Sequence, residues 1–181
     1  ILLAASTAYG QLIRFEKVYG AWSHDHGYAL AQPWDSGYAV VGSTSSYGNG
    51  VSALYLLKLD KYGNFLWHQA LGGLNVDVGM SVVESSDSGI VCAGYSNSQG
   101  NGGYDAWIIK TDRNGNVLWE KNYGGSNWDF ANWISGAAGN GFIVCGSTQS
   151  FGNGNKDIWI LRLDANGDTL WTRTYGGTDE D

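Results

Sequence analysis

The chain has few charged residues, almost no proline and no long apolar stretch. Only 15% of its 181 residues are charged, one is Pro and two are Cys. No segment approaches the ~20 consecutive apolar residues of a transmembrane helix, so the sequence predicts no membrane span. The scarcity of Pro, together with Gly that follows no three-residue period, excludes a collagen-like chain.

Basic residues are also scarce. The chain has 10 Lys and Arg against 17 Asp and Glu, which gives a formal net charge of −7. Such a balance is a poor match for phosphate backbones, so nucleic acid is not an expected partner. An apolar content of 43% is sufficient for a core and excludes global disorder.

Glycine and aromatic residues are abundant. The chain has 28 Gly, 9 Trp, 11 Tyr and 5 Phe. This composition indicates many short strands joined by tight turns, and no segment has helical periodicity. The expected fold class is therefore all-β.

The sequence repeats every 52 residues. Trp recurs at 67, 119 and 171 without an insertion between copies. Asp and Gly keep the same spacing in four further sets: Asp60, Asp112 and Asp164; Gly63, Gly115 and Gly167; Gly42, Gly94 and Gly146; Asp25, Asp77, Asp129 and Asp181. A register kept over three periods predicts a repeat architecture.

Each repeat unit is expected to contain four strands. In the middle copy these are residues 78–84, 90–95, 106–111 and 117–123. Four antiparallel strands in about 50 residues describe a β-propeller blade. A β-sandwich is the weaker alternative, since a sandwich has no need of identical units.

Three segments carry a family resemblance. Residues 58–67 (KLDKYGNFLW), 110–119 and 162–171 resemble the Asp-Gly-Trp docking motif of quinoprotein-type propeller blades. The whole unit, over residues 12–181, is similar to the β-propeller repeats of secreted bacterial and archaeal proteins. The resemblance implies a propeller and an extracellular location. Asp60 and Gly63 are one residue closer than in the quinoprotein motif, so no quinone chemistry is implied.

The repeated Trp and Asp residues are expected to be structural. Each Trp should pack onto the neighbouring blade, the alternative being ligand stacking. Asp60, Asp112 and Asp164 should accept backbone N–H groups within turns. The segment 164–168 also resembles a calcium loop, although it lacks a bidentate Glu.

Topology suggests one candidate site. If strands alternate in direction, the loops between the second and third strands and between successive blades emerge at one end. The polar residues expected there are Asp25, Asp77, Asp129, Asp105, Asp157, Asn49, Asn101 and Asn153. Such a face could hold Ca²⁺, or sugar hydroxyls with Trp22, Trp128 or Trp133 as stacking platforms. The alternative is that these side chains only fix loops and strand starts.

Nothing indicates catalysis, and no enzyme is predicted. The three His do not recur with the repeat, and neither a nucleophile elbow nor a phosphate loop is present. His24 and His26 could hold an opportunistic metal ion or lie in a solvated loop. Cys92 and Cys145 are one register apart on equivalent strands, so they should face opposite ways as small buried thiols without a disulfide.

The N-terminal residues lie outside the repeat. Residues 1–10 (ILLAASTAYG) resemble the tail of a secretory signal, which indicates export, or else form an apolar extra strand. Residues 12–20 match a fourth strand, with Phe15 in the Trp position. The expected division is a signal-like segment 1–11, an orphan fourth strand 12–24, blades 25–76, 77–128 and 129–176, and the start of another unit at 177–181.

Three blades leave two apolar sheet faces open, since closed propellers have about four to eight blades. The chain could be part of a longer propeller, half of a two-chain ring, or a unit of a head-to-tail filament. The leading hypothesis is a secreted or cell-surface scaffold for adhesion or self-assembly, through open blade faces or the N-terminal strand. The alternative is a lectin-like module that binds glycans or calcium; no other cofactor is expected.

Overall fold

The structure is a computed structural model that describes residues 16–178. The predictions for residues 1–11, Phe15 and Asp181 lie outside these residues. The described chain consists of strands and loops, with no helix that could cross a membrane. The strands are β1 (Asp25–Ala31), β2 (Tyr38–Thr44), β3 (Ala53–Leu59), β4 (Phe65–Leu71), β5 (Asp77–Glu84), β6 (Ile90–Ser96), β7 (Asp105–Thr111), β8 (Val117–Tyr123), β9 (Asp129–Ala137), β10 (Gly141–Thr148), β11 (Asp157–Leu163) and β12 (Thr169–Tyr175).

The strands form three separate antiparallel sheets. Blade 1 contains β1–β4, blade 2 contains β5–β8 and blade 3 contains β9–β12, each in sequence order. The chain is therefore all-β, built of four-stranded propeller blades that do not close into a ring. The second and third strands are the most buried, which agrees with their continuous apolar sequences.

The three blades stack face to face. We call the face with Tyr38, Ile90 or Phe142 the front of its blade, and the opposite face the rear. The rear of blade 1 packs on the front of blade 2 in one apolar cluster. The rear of blade 2 packs on the front of blade 3 in another. Blade 2 is thus covered on both faces.

The repeated glycines of the second strands lie against the first strand of the same blade. A Cβ on Gly94 would lie 1.9 Å from the carbonyl oxygen of Val78. The pairing of β5 with β6 shifts just beyond this point, between Gly79 and Ser81. Gly94 is required because no side chain fits between the two backbones at this irregularity.

The orphan fourth strand is only partly described. Residues 16–24 belong to none of the strand ladders of the described chain, because no third strand lies beside them. Residues 16–20 nevertheless contact blade 1 as a fourth strand does. Tyr19 donates to the carbonyl of Gly63, as Tyr123 of β8 donates to that of Gly167 at 2.5 Å. We call residues 16–20 the blade-1 cap.

Both cysteines are free, as expected from their opposite orientations. Cys92 is buried between blades 1 and 2. The prediction that both thiols are buried is wrong for Cys145, which is exposed. Cys145 lies on the rear of blade 3, and its repeat neighbour Ala93 is buried only because blade 3 covers it.

Candidate functional site

A buried carboxylate lies where β5 begins. Asp77 has no solvent exposure and accepts hydrogen bonds from the hydroxyls of Ser96 and Ser98, the latter at 2.7 Å. The backbone N–H of Gly73 donates to the same carboxylate at 2.8 Å. The carboxylate therefore joins the loop before β5 to the loop after β6.

The other two blades repeat this arrangement, which we call the Asp–Ser latch. Asp129 accepts from Thr148, from Ser150 at 2.6 Å and from the Gly125 N–H at 2.9 Å. In the third latch, Asp25 accepts hydrogen bonds from the Thr44 hydroxyl at 2.5 Å, the Ser46 hydroxyl at 2.7 Å and the Ala21 N–H at 2.9 Å. Each Ser also accepts a backbone N–H; for Ser98 the donor is Asn75, at 3.0 Å.

Hydrogen bonding dominates the electrostatics of the latch in blade 1. Burial alone would raise the pKa of Asp25, but hydrogen bonds from Thr44, Ser46 and backbone N–H groups outweigh it. The net effect lowers the pKa of Asp25, so the carboxylate stays ionised at neutral pH. Its oxygens are occupied by donors from the protein itself.

The carboxylates that begin the third strands lie close to the latches. Asp105 is buried and accepts the Asn101 N–H at 2.9 Å. Burial, and then the charge of Asp129, raise the pKa of Asp105. Both carboxylates approach Gly124, where an added Cβ would lie 2.1 Å from Asp105 and 2.7 Å from Asp129. Asp157 is likewise buried, against Gly152.

The remaining residues of the predicted face do not converge on one point. The side chains of Asn49, Asn101 and Asn153 are exposed. Within residues 16–178, no three His, Cys, Asp or Glu side chains are grouped so that they could hold a metal ion. The structure brings Asp105 and Asp129 together, but each latch carboxylate has its own donors.

The three Trp considered as stacking platforms differ in setting. Trp22 is fully exposed beside the first latch, where the N–H of Ser23 bonds to Ser46 at 3.0 Å. Trp128 packs edge-on against Tyr104, with ring centroids 5.8 Å apart. Trp133 pairs with Cys145 and so belongs to the rear of blade 3.

The repeated Trp of the fourth strand lies over a glycine of the next blade. A Cβ on Gly115 would lie 2.9 Å from the Trp67 ring, and one on Gly167 would lie 2.9 Å from the Trp119 ring. Both glycines have positive φ, at 88° and 81°, which also favours glycine. Trp171 has no such neighbour among the described residues and is 41% exposed.

The repeated Asp of each docking motif closes the turn between the third and fourth strands. Asp60 accepts the N–H groups of Tyr62 and Asn64, both at 2.8 Å. Hydrogen bonds from the side chain and backbone of Asn116 lower the pKa of Asp112 in the same turn of blade 2. Asp164 accepts from Asn166 and Asp168. All three act inside their own turns.

Sequence reasoning missed a buried cation in blades 1 and 2 and its partly buried equivalent in blade 3. Lys58 and Lys110 are buried and bind Asp35 and Asp87, each at 2.6 Å. Blade 3 has Gly139 at the Asp position and Arg162 at the Lys position, and Arg162 bonds to carbonyl groups, including that of Phe142 at 3.1 Å. The sequence did hold a signal for this pairing, because the Asp and the Lys of the first two copies are both replaced in the third copy.

The rear of blade 3 is an open apolar face. Trp133, Ile158 and Tyr175 are 62%, 45% and 58% exposed. In blade 2 the residue equivalent to Ile158 is Ala106, which is fully buried against blade 3. The rear of blade 3 therefore keeps the pattern of an interblade face without a covering blade in the described chain.

The front of blade 1 carries three buried residues of β3, with Tyr55, Leu57 and Leu59 exposed by only 7%, 3% and 3%. Tyr55, Leu57 and Leu59 form a small cluster with Tyr19 of the blade-1 cap. Beside Tyr19 the same residues line a cavity of about 190 Å³. Their equivalents in blade 3 pack against the second and third strands of blade 2.

The fold has counterparts among solved structures. One is the crystal structure of Sqt1 from Chaetomium thermophilum, with 15% identity, a TM-score of 0.45 and 85% of this chain covered. Another is the Neurospora crassa Pan2 WD40 domain, with 12% identity, a TM-score of 0.46 and 84% covered. The chain spans 36% and 51% of the length of these two structures. No family model and no curated protein matches the sequence.

Proposed function

We propose that the protein is a non-enzymatic β-propeller scaffold that self-assembles through its open blade faces. The observation that carries this proposal is the rear of blade 3, an exposed apolar surface with the residue pattern of two buried interblade faces. Contiguous apolar surfaces of this kind are typical of contact sites between proteins.

The two covered interfaces provide the physical basis. At each one, aliphatic side chains of a rear face meet a front face that contains an aromatic residue of the third strand, Trp107 or Trp159. The rear of blade 3 offers the aliphatic set, and the front of blade 1 offers Tyr55 in the aromatic position. Joining a rear face to a front face is a heterologous contact, which extends head to tail.

Sedimentation velocity over a wide range of protein concentration tests self-assembly. We expect the 181-residue chain to associate and Ile158→Asp to abolish association, because a charge would be buried without a partner. Leu170→Asp is the matched control in the same blade. Leu66, Leu118 and Leu170 are 50%, 56% and 59% exposed, so blade stacking does not cover this position.

A chain that stays monomeric at every concentration would contradict the proposal. Equal loss of association in Ile158→Asp and Leu170→Asp would also contradict it, because the contact would then not depend on the interblade face. Circular dichroism of both variants checks that the fold is retained.

We also propose an extracellular or cell-surface location and a role in adhesion, on the basis of the signal-like residues 1–10. Fusion of these residues to a reporter enzyme tests export. Secretion of the reporter by a bacterial host is the expected result, and retention in the cytoplasm would argue against it.

A glycan-binding module is the second candidate. It is favoured by the fully exposed Trp22 beside the first latch, since an exposed aromatic ring can stack on a sugar. A glycan array together with a calcium titration tests this alternative. Binding that is lost in Trp22→Ala would support it, and no response to either ligand would exclude it.

A further inference from the structure

The blade-1 cap makes the same contacts on blade 1 that the last fourth-strand residues of blade 2 make on blade 3. Tyr19 donates to Gly63, and Tyr123 donates to Gly167. Lys17 Nζ lies 2.6 Å from Asn64 Oδ1. Tyr19 and Tyr123 are 104 residues apart, which is two repeats, and so are Gly63 and Gly167.

The cation contact is repeated as well. Lys121 Nζ lies 2.6 Å from Asp168 Oδ1, at the repeat position of Lys17 and Asn64. The cap is therefore a mimic of a docked fourth strand, attached to a blade that has no preceding blade in the described chain.

The fourth strand of blade 3 also has a cation and a tyrosine at these two repeat positions, but no described blade lies next to them. Arg173 and Tyr175 stand at the repeat positions of Lys121 and Tyr123. Tyr175 is 58% exposed, and nothing in residues 16–178 accepts a hydrogen bond from its hydroxyl. The guanidinium of Arg173 lies 6.0 Å from the centre of its neighbour, the Trp171 ring.

The combination of a cation and a tyrosine does not occur at every junction between blades. Blade 1 presents Gln69 and Leu71 to blade 2 at these positions, and neither can replace a cation and a tyrosine. The Tyr–cation pair is instead found in the cap on blade 1 and in β8 on blade 3. The chemistry of β12 therefore matches the site on blade 1 that the cap already occupies.

We propose that the front of blade 1 receives the rear of blade 3 from a second copy of this chain, and that the blade-1 cap competes with the second copy's β12 for the same site. Displacement of the cap lets Tyr175 of one copy reach Gly63 of the other. The cap thus limits head-to-tail pairing, and this inference rests on the proposed function.

The cap is weakly held, as such a competitor must be. Glu16, Lys17, Val18 and Gly20 are exposed, and Val18 is 96% exposed. The contact of Lys17 with Asn64 is an exposed hydrogen bond, so water competes for both groups and reduces its net contribution to stability. A cavity of about 190 Å³ lies beside Tyr19, lined by the buried Leu57 and Leu59, and a docked blade would fill this cavity when it takes the place of the cap.

The same chemical change at two tyrosines tests the proposal. Tyr19→Phe removes a hydrogen bond that only the cap makes, so association measured by sedimentation should strengthen by about three- to tenfold. Tyr175→Phe removes the hydrogen bond of the incoming strand, so association should weaken by a similar factor. Tyr123→Phe, inside the chain, should leave association unchanged and lower thermal stability.

Hydrogen–deuterium exchange gives a second readout on the full 181-residue chain. On association, residues 16–20 should lose protection while β12 and the front of blade 1 gain it. Added protection of the cap would show that the second copy binds over it, and would overturn the proposal.

The possible failures can be told apart. Association that is blocked by Ile158→Asp but weakened or unchanged by Tyr19→Phe would reject the competing cap and leave self-assembly standing. Association that is unaffected by Tyr175→Phe would indicate another arrangement, such as rear-to-rear pairing, and would reject the proposed partner face. Absence of association in both the parent chain and Tyr19→Phe would reject self-assembly itself.

Discussion

Blades 2 and 3 have the same strand order and nearly the same pattern of apolar residues, yet their surfaces differ. Ala93 and Ile108 on the rear of blade 2 are 0% and 1% exposed. At the same positions in blade 3, Cys145 is exposed and Ile160 is only partly buried. The difference arises because blade 3 covers blade 2, whereas no blade in the described chain covers blade 3.

The comparison shows that burial is a property of the blade's position in the stack. A blade in a propeller is stabilised largely by its neighbours, as in other repeat proteins. Equivalent substitutions in blades 2 and 3 therefore separate the contribution of a neighbour from that of the blade itself.

Truncation of the equivalent isoleucines should give the greatest difference. Ile108→Ala should lower the free energy of unfolding by about 2–5 kcal/mol, because it leaves a cavity between blades 2 and 3. Ile160→Ala should lower it by roughly 1 kcal/mol or less in dilute solution. Urea denaturation of both variants measures these values. Equal losses at low concentration would show that the rear of blade 3 is covered.

The latches should matter next. Asp77→Ala leaves the Ser96 and Ser98 hydroxyls without their acceptor and should lower the free energy of unfolding by roughly 2–4 kcal/mol. Asp25→Ala, in the more exposed latch of blade 1, should cause a smaller loss. Thermal denaturation compares the two variants, with Asn75→Ala as a control for the loop. A larger effect at Asp25 than at Asp77 would contradict the expected dependence on burial.

The third-strand tryptophans should show a difference of about 1 kcal/mol. Trp159 Nε1 donates to the Thr172 hydroxyl at 2.6 Å, whereas Trp107 Nε1 is buried and has no hydrogen-bond partner among residues 16–178. Substitution by Phe removes similar volume at both sites, so Trp159→Phe should be the more destabilising. Chemical denaturation gives both values, and the opposite order would argue against an unpaired N–H at Trp107.

The smallest effect concerns acid stability. Hydrogen bonds from Lys110 and Ser85 lower the pKa of Asp87 to about 2, from an ordinary value of 3.8. The lowered pKa stabilises the folded state above about pH 4, and this contribution is lost as the pH falls toward 2. Asp87→Asn should therefore flatten the acid side of the stability profile. The side chain is more than half exposed, so solvent should keep the effect modest.

Arg162→Lys offers a control for that comparison. Blade 3 has Gly139 in place of the aspartate, so this change introduces a lysine without a carboxylate partner. The acid profile should keep its shape while overall stability falls, because carbonyl hydrogen bonds are lost. Melting temperatures between pH 2 and pH 5 measure both effects.

The blade architecture could be predicted from sequence because its signals are local. Turn residues, alternating burial and the 52-residue spacing of Asp, Gly and Trp each depend on a few neighbouring positions. The latch aspartates Asp25, Asp77 and Asp129 were identified, and the alternation of strand directions predicted that the two loops lie at one end. Their pairing with each other was not predicted, since the hydroxyl of Ser98 lies 21 residues from Asp77 in the chain.

Burial could not be predicted in the same way. The apolar character of Cys145 suggested an interior position, yet its exposure depends on whether another sheet covers blade 3. Lys110 is chemically suited to the surface, but it is buried because Asp87 neutralises its charge from the adjoining turn. Both outcomes depend on contacts between segments, which residue type alone does not specify.

The glycines beneath Trp67 and Trp119 have a consequence for how such a chain can change during evolution. Blades 1 and 2 each end with a Trp ring that lies over a glycine of the blade that follows. Removal of residues 77–128 would bring the Trp67 ring opposite Gly167, an arrangement that already exists one repeat later. Gain or loss of a whole 52-residue module therefore keeps the contact between Trp and Gly at the new junction, although Gln69 and Leu71 would not reproduce the contacts that Lys121 and Tyr123 make with blade 3.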